Sequence, residues 1–116
     1  MIEIPAQGLI PFNLKYPEKI RKYFTKEKEL KIFFNIFVNS HCERCIITAC
    51  VPINKNNFKQ IEKEIFQFIE PRIRKYLQET LPCLKKINLP SFERRYDPLN
   101  QTLLFEINLS GKVYLI

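Results

Sequence analysis

Residues 30 to 38 carry the clearest pattern in the chain: Leu30, Ile32, Phe34, Ile36 and Val38 alternate with Lys31, Phe33, Asn35 and Phe37. A period of two sends successive side chains to opposite faces, so "ELKIFFNIFVN" predicts a strand with one wholly apolar face. Its other face mixes Lys31 and Asn35 with two phenylalanines. These need cover from the N-terminal arm, a second helix or another subunit. "CIITACVPI", closing at Pro52, predicts the partner strand. The polar "NSHCER" between the two suits a hairpin loop.

From Asn56 to about Leu81 the spacing changes to three and four. Phe58, Ile61, Ile65, Phe68, Ile69, Ile73, Tyr76 and Leu77 form the stripe of a core-facing helix. Pro71 lies inside it and removes a helix hydrogen bond, which predicts a kink near Glu70 or two helices meeting there. Residues 82 to 101 hold three prolines and no clean period, and read as a long ordered loop. "TLLFEINLSGKVYLI" predicts two short strands around a Ser110-Gly111 turn, with Leu103, Phe105, Ile107, Val113 and Leu115 inward. Ahead of the first hairpin stands an extended arm with a short strand at Met1 to Ile4. A short helix follows at Tyr16 to Phe24, with Pro17 in its first position and Ile20, Tyr23 and Phe24 as its apolar edge.

The order β-β-α-β-β predicts an α+β fold of two layers: an antiparallel sheet of about four strands, in two hairpins, packed on one long, kinked helix. A length of 116 residues fits one domain. Its segments are the arm and short helix (1–28), a hairpin (29–53), the helix (56–81), the loop (82–101) and a second hairpin (102–116). With 46% hydrophobic and 27% charged residues, a folded globular chain is expected. No apolar run approaches the roughly 18 residues of a membrane span. "MIEIPAQGLIPF" lacks the basic start and apolar core of a signal peptide. No membrane partner and a cytoplasmic location are expected, with the four cysteines as reduced thiols or metal ligands.

"HCERCIITAC" is the one stretch that resembles a site. Cys42 and Cys45, with His41 beside them, offer one pair of a zinc ligand set, but structural zinc wants two separated pairs and the second pair is missing. Cys50 stands at an odd offset from Cys45, so the two face opposite sides of a strand, and Cys83 stands alone beyond the helix. The expectation is a polar turn leading to buried thiols, with no metal and no cofactor. A single histidine, a single aspartate (Asp97) and only two glycines, Gly8 and Gly111, leave little for acid–base, carboxylate–metal or phosphate-loop chemistry. An enzyme is the least favoured class.

Charge supplies two functional expectations. Nineteen basic residues exceed twelve acidic ones, for a net +7. The stretches that read as strands are balanced, so the excess lies on helices and loops. Arg72, Arg74, Lys75, Lys85, Lys86, Arg94 and Arg95, interleaved with Phe92 and Tyr96, predict a DNA- or RNA-binding patch if the loop folds back over the helix end. A solvated face, or cations answering the helix dipole, would leave the same pattern. The second expectation is a protein-interaction or assembly subunit with no nucleic-acid contact. It would be a homodimer or an accessory subunit of the kind viruses and mobile elements encode. Phe33 and Phe37 would form its interface, or Tyr114 and Ile116 at the edge of the last strand. Residues 1 to 25 could instead cover the phenylalanines within the chain.

Overall fold

The alternation at 30–38 becomes the second strand of a five-stranded sheet. The computed structural model describes residues 1–24, 29–53, 62–85 and 89–116. The elements are β1 (Ile2–Ile4), β2 (Phe12–Lys15), a 3-10 turn (Glu18–Tyr23), β3 (Glu29–Val38), β4 (Arg44–Pro52), α1 (Glu62–Thr80), a second 3-10 turn (Pro82–Leu84), β5 (Glu93–Asp97), β6 (Thr102–Ser110) and β7 (Val113–Leu115). The sheet runs β2-β3-β4-β6-β5, all antiparallel, while β1 and β7 pair in parallel as a separate ribbon.

The class is α+β with one long helix against an antiparallel sheet, as the pattern predicts, but with more strands than four. The extra pair, β2 and β5, are the two edges. Part of the expected loop at 82–101 is therefore ordered as a 3-10 turn and as β5. The expected C-terminal hairpin does not form. Both edges of β6 are already taken, by β4 and β5, so β7 has no place beside it and turns away to β1. Val113 is buried as expected, whereas Leu115 is exposed.

The helix described is single and uninterrupted from Glu62 to Thr80, with Pro71 inside it, so the expectation of two helices fails. Its predicted residues 56–61, including Phe58 and Ile61, lie outside the described residues. Pro71 sits on the exposed side, where the carbonyl it leaves without a helix donor can be hydrated. One turn away, the Arg72 guanidinium donates to the Phe68 carbonyl at 2.6 Å. The short N-terminal helix is a 3-10 turn with Pro17 at its N-cap, one place earlier than predicted. Ile20, Tyr23 and Phe24 are buried.

Register assigns the faces. Toward the helix, cross-strand rows read Phe34–Ala49–Phe105–Arg94 and Ile36–Ile47–Ile107, with Val38–Cys45–Leu109 beyond them. Ile65, Phe66, Ile69, Ile73 and Leu77 of α1 are buried in the same core. The ring of Phe66 meets Phe105 edge-on at 5.4 Å, a favourable aromatic geometry. Phe12, Phe34 and Tyr76 stack at 4.5–5.9 Å, and the Tyr76 hydroxyl donates to the Ile10 carbonyl, which ties the N-terminal arm to the helix. The arm therefore serves the helix side of the sheet. On the other side, rows such as Phe33–Cys50–Leu104–Arg95 and Phe37–Ile46–Asn108 carry no layer of described residues.

Candidate functional site

Three surfaces carry the residues that the sequence singles out. The first is a groove of about 350 Å³ between α1 and the segment leading into β5, lined by Glu70, Pro71, Arg74, Lys75, Gln78, Ser91 and Arg94. Three of the expected phosphate-binding cations meet there. Two of them are engaged by one carboxylate: Glu70 accepts from Arg94 at 2.7 Å and lies 3.9 Å from Arg74. Glu70 also accepts the Phe92 backbone N–H at 3.1 Å. The guanidinium of Arg74 donates to the carbonyls of Leu89 (2.9 Å) and Pro90 (3.4 Å), and stands 5.3 Å from the Phe92 ring centre. This cluster fastens the incoming loop to the helix.

The other described residues of the predicted patch do not line the groove. Phe92 is buried, so its ring is closed to a nucleobase. Arg95 points to the opposite face of the sheet, where it meets Glu106 at 2.9 Å. That bond offsets the placement of Glu93 directly across from Glu106. Arg72 covers the Phe68 ring at 3.8 Å, Lys75 lies 3.9 Å from Glu79, and Lys85 is exposed. Tyr96 is half-buried, and Lys86 lies outside the described residues.

The second surface is the β3–β4 loop. His41 and Cys42 are exposed there, while Cys45 is fully buried on the helix face of β4 and Cys50 is half-buried on the other. Cys42, Cys45 and His41 therefore do not converge. Among the described residues no group of three or more His, Cys, Asp or Glu side chains is placed to hold a metal ion. The loop is organised by Asn39, whose side-chain oxygen accepts the N–H groups of Glu43 (2.8 Å) and Arg44 (3.0 Å). Cys42 holds φ +53°, a left-handed conformation unusual for a residue with a Cβ.

Burial, and secondarily the nearby Cys83, push the Cys45 thiol up from an ordinary 9.0 to about 11. A thiol held protonated resists metal ligation, which needs the thiolate. The sign of the pH effect follows. The folded chain keeps the neutral thiol while the unfolded chain releases its proton near pH 9, so this contribution is intact below about pH 9 and is lost as pH rises toward 11. Urea unfolding of wild type and Cys45→Ala across pH 8 to 11 should show the stability gap between them narrowing over that window. A constant gap would contradict the burial. Maleimide should label Cys42 in the native protein and leave Cys45 untouched until unfolding.

The third surface is the uncovered face of the sheet. Phe33 and Phe37 of β3 are 44% and 61% exposed, with half-buried Cys50 and Leu104 in the row of Phe33, half-buried Ile46 beside Phe37, and the polar row Asn35–Thr48–Glu106 between them. Lys31 lies 5.4 Å from the Phe33 ring centre. Tyr114 and Ile116 are exposed at the other end of the chain. A groove of about 420 Å³ runs beside β3, between Phe34, Ile36 and Val38 on one side and Ile4 to Leu9 with Leu115 on the other. Sequence reasoning missed this groove, because it treats the whole apolar face of β3 as core. It missed Glu70 as well, although its spacing of four from Arg74 was a local signal of an ion pair. No helix among the described residues is long and apolar enough to cross a membrane. No family, no curated protein and no solved structure matches the chain.

Proposed function

We propose that this chain is a non-enzymatic protein-interaction module whose working surface is the open side of β3. The observation that carries this reading is the exposure of Phe33 and Phe37 on a sheet face that no described element covers. Two large rings four residues apart, Phe33 beside Cys50 and Leu104 and Phe37 beside Ile46, flank the polar row Asn35–Thr48–Glu106, and each is an exposed apolar surface that a protein partner would bury. The nucleic-acid reading has less behind it. Arg74 and Arg94 share Glu70, Arg95 is engaged by Glu106, and the Phe92 ring is inside.

The two readings separate by photocrosslinking in cells from a benzophenone amino acid placed at one position at a time. Positions 33 and 37 should give protein–protein adducts. Positions 72 and 85, on the cationic side, should give none that nuclease removes. Nuclease-sensitive adducts from 72 and 85, with nothing from 33 or 37, would overturn the proposal in favour of a polyanion partner.

A further inference from the structure

Beyond its exposed rings, β3 has an unused edge. β2 pairs only with Glu29 to Ile32, leaving Phe33 to Val38 bonded to β4 on one side and to no described strand on the other. The Asn39 N–H donates to the Arg44 carbonyl at 3.2 Å, so odd-numbered residues here turn their backbone groups to β4. By alternation, Phe34, Ile36 and Val38 turn their N–H and C=O groups outward. Leu30 and Ile32 share that parity and lie opposite Leu14 and Phe12 of β2. Natural edge strands are usually blunted by a lysine, a proline or a bulge, and 33–38 contains neither residue and keeps an unbroken register. The side chains of Phe34, Ile36 and Val38 are half-buried and line the groove whose other wall is Ile4 to Leu9 with Leu115.

We infer that this edge pairs antiparallel with the same edge of a second copy of the chain, joining the two sheets side by side. The inference rests on reading β3 as the interaction surface and assigns a partner to its edge, bringing Phe33 and Phe37 of the two copies together while the face they stand on stays open. A two-fold axis normal to the sheet keeps each face on its own side, so residues of like parity must oppose one another, and the axis falls at Asn35 or at Ile36. At Asn35, Val38 would oppose Ile32 of the second copy, a position already filled by Phe12 of β2. At Ile36 the ladder uses only the free stretch: Ile36 opposes Ile36, Phe34 opposes Val38, and Asn35 opposes Phe37. The outward groups then make roughly six backbone hydrogen bonds. Phe33 comes diagonally beside Phe37 of the second copy, within reach for aromatic side chains. Residues 33 to 40 carry no charge, so nothing in the pairing repels itself.

Sedimentation equilibrium of the purified chain should give twice its 14.0 kDa mass, with the monomer appearing on dilution. Ile36→Pro removes an outward N–H at an edge where proline is tolerated, and should return the mass to 14.0 kDa with an unchanged far-ultraviolet spectrum. Should that variant misfold, Ile36→Cys in a Cys42→Ser/Cys50→Ser background tests the register directly. Directly opposed residues of a hydrogen-bonded pair have Cα atoms about 5.5 Å apart, so mild oxidation should give a disulfide-linked dimer. Phe33→Cys in the same background should give none. A monomer at every concentration, or a dimer in which Ile36→Cys stays reduced, would overturn the inference. A monomer that still forms protein adducts from positions 33 and 37 would remove the second copy as partner and leave the interaction module standing. Loss of both would remove both.

Discussion

Phe105→Ala should lower the free energy of unfolding by about 4 kcal/mol, among the largest losses a single substitution can produce in a domain of this size. Phe105 is fully buried on β6, between β4 and β5 and beneath α1. Its neighbour across the ladder on one side is Ala49, the smallest side chain in the row Phe34–Ala49–Phe105. Beside that small neighbour the ring meets Phe66 of α1 edge-on at 5.4 Å. Removing the ring forfeits its transfer free energy and leaves a hole that a sheet bonded on both sides of β6 cannot close. Phe105→Leu, which keeps most of the volume, should cost about 1–2 kcal/mol. Urea denaturation monitored by far-ultraviolet circular dichroism measures both. A loss under about 1.5 kcal/mol for Phe105→Ala would mean that helix and sheet do not share a core at this point.

The elements legible in the sequence are those whose evidence is local. β3, β4 and β6 alternate for nine or ten residues, and α1 keeps a stripe of Ile65, Ile69, Ile73 and Leu77, so periodicity alone finds them. The edges β2 and β5 read "FNLK" and "ERRYD", too short and too polar to show a pattern. They are strands because a long neighbour supplies their hydrogen bonds, which is a tertiary fact. The destination of β7 is equally non-local, since it depends on β5 having already taken the second edge of β6. The basic cluster misleads for a related reason. Counting charge groups Arg74 with Arg94 and Arg95, yet Arg94 and Arg95 find their carboxylates, Glu70 and Glu106, on other elements, and strand parity sends Arg95 to the far face. The exposed phenylalanines were legible because a strand shows both of its faces in its sequence, so Phe33 and Phe37 stand out once the other face is assigned inward.

Glu70→Ala should cost about 3 kcal/mol, and the cost should fall on one part of the molecule. The Glu70 side chain is only 14% exposed, and it accepts from the Phe92 N–H and from Arg94 while standing near Arg74. Truncation leaves the N–H of a buried residue without its acceptor and two guanidinium groups without their counter-charge, and groups stranded in this way cost more than the bond itself was worth. Glu70→Gln keeps an acceptor for the Phe92 N–H and should cost about 1 kcal/mol. Arg94→Ala, which removes a partly exposed partner, should cost at most about 1 kcal/mol. Amide exchange tells where the loss falls. The amides of Phe92 and of β5 should exchange much faster in Glu70→Ala, because the carboxylate ties the Phe92 N–H and the Arg94 side chain to α1. Those of the β3–β4 pairing should change only as much as the global loss requires, since their partners are one another. Uniform acceleration across both regions would show that Glu70 supports the core as a whole and not the 89–97 segment alone.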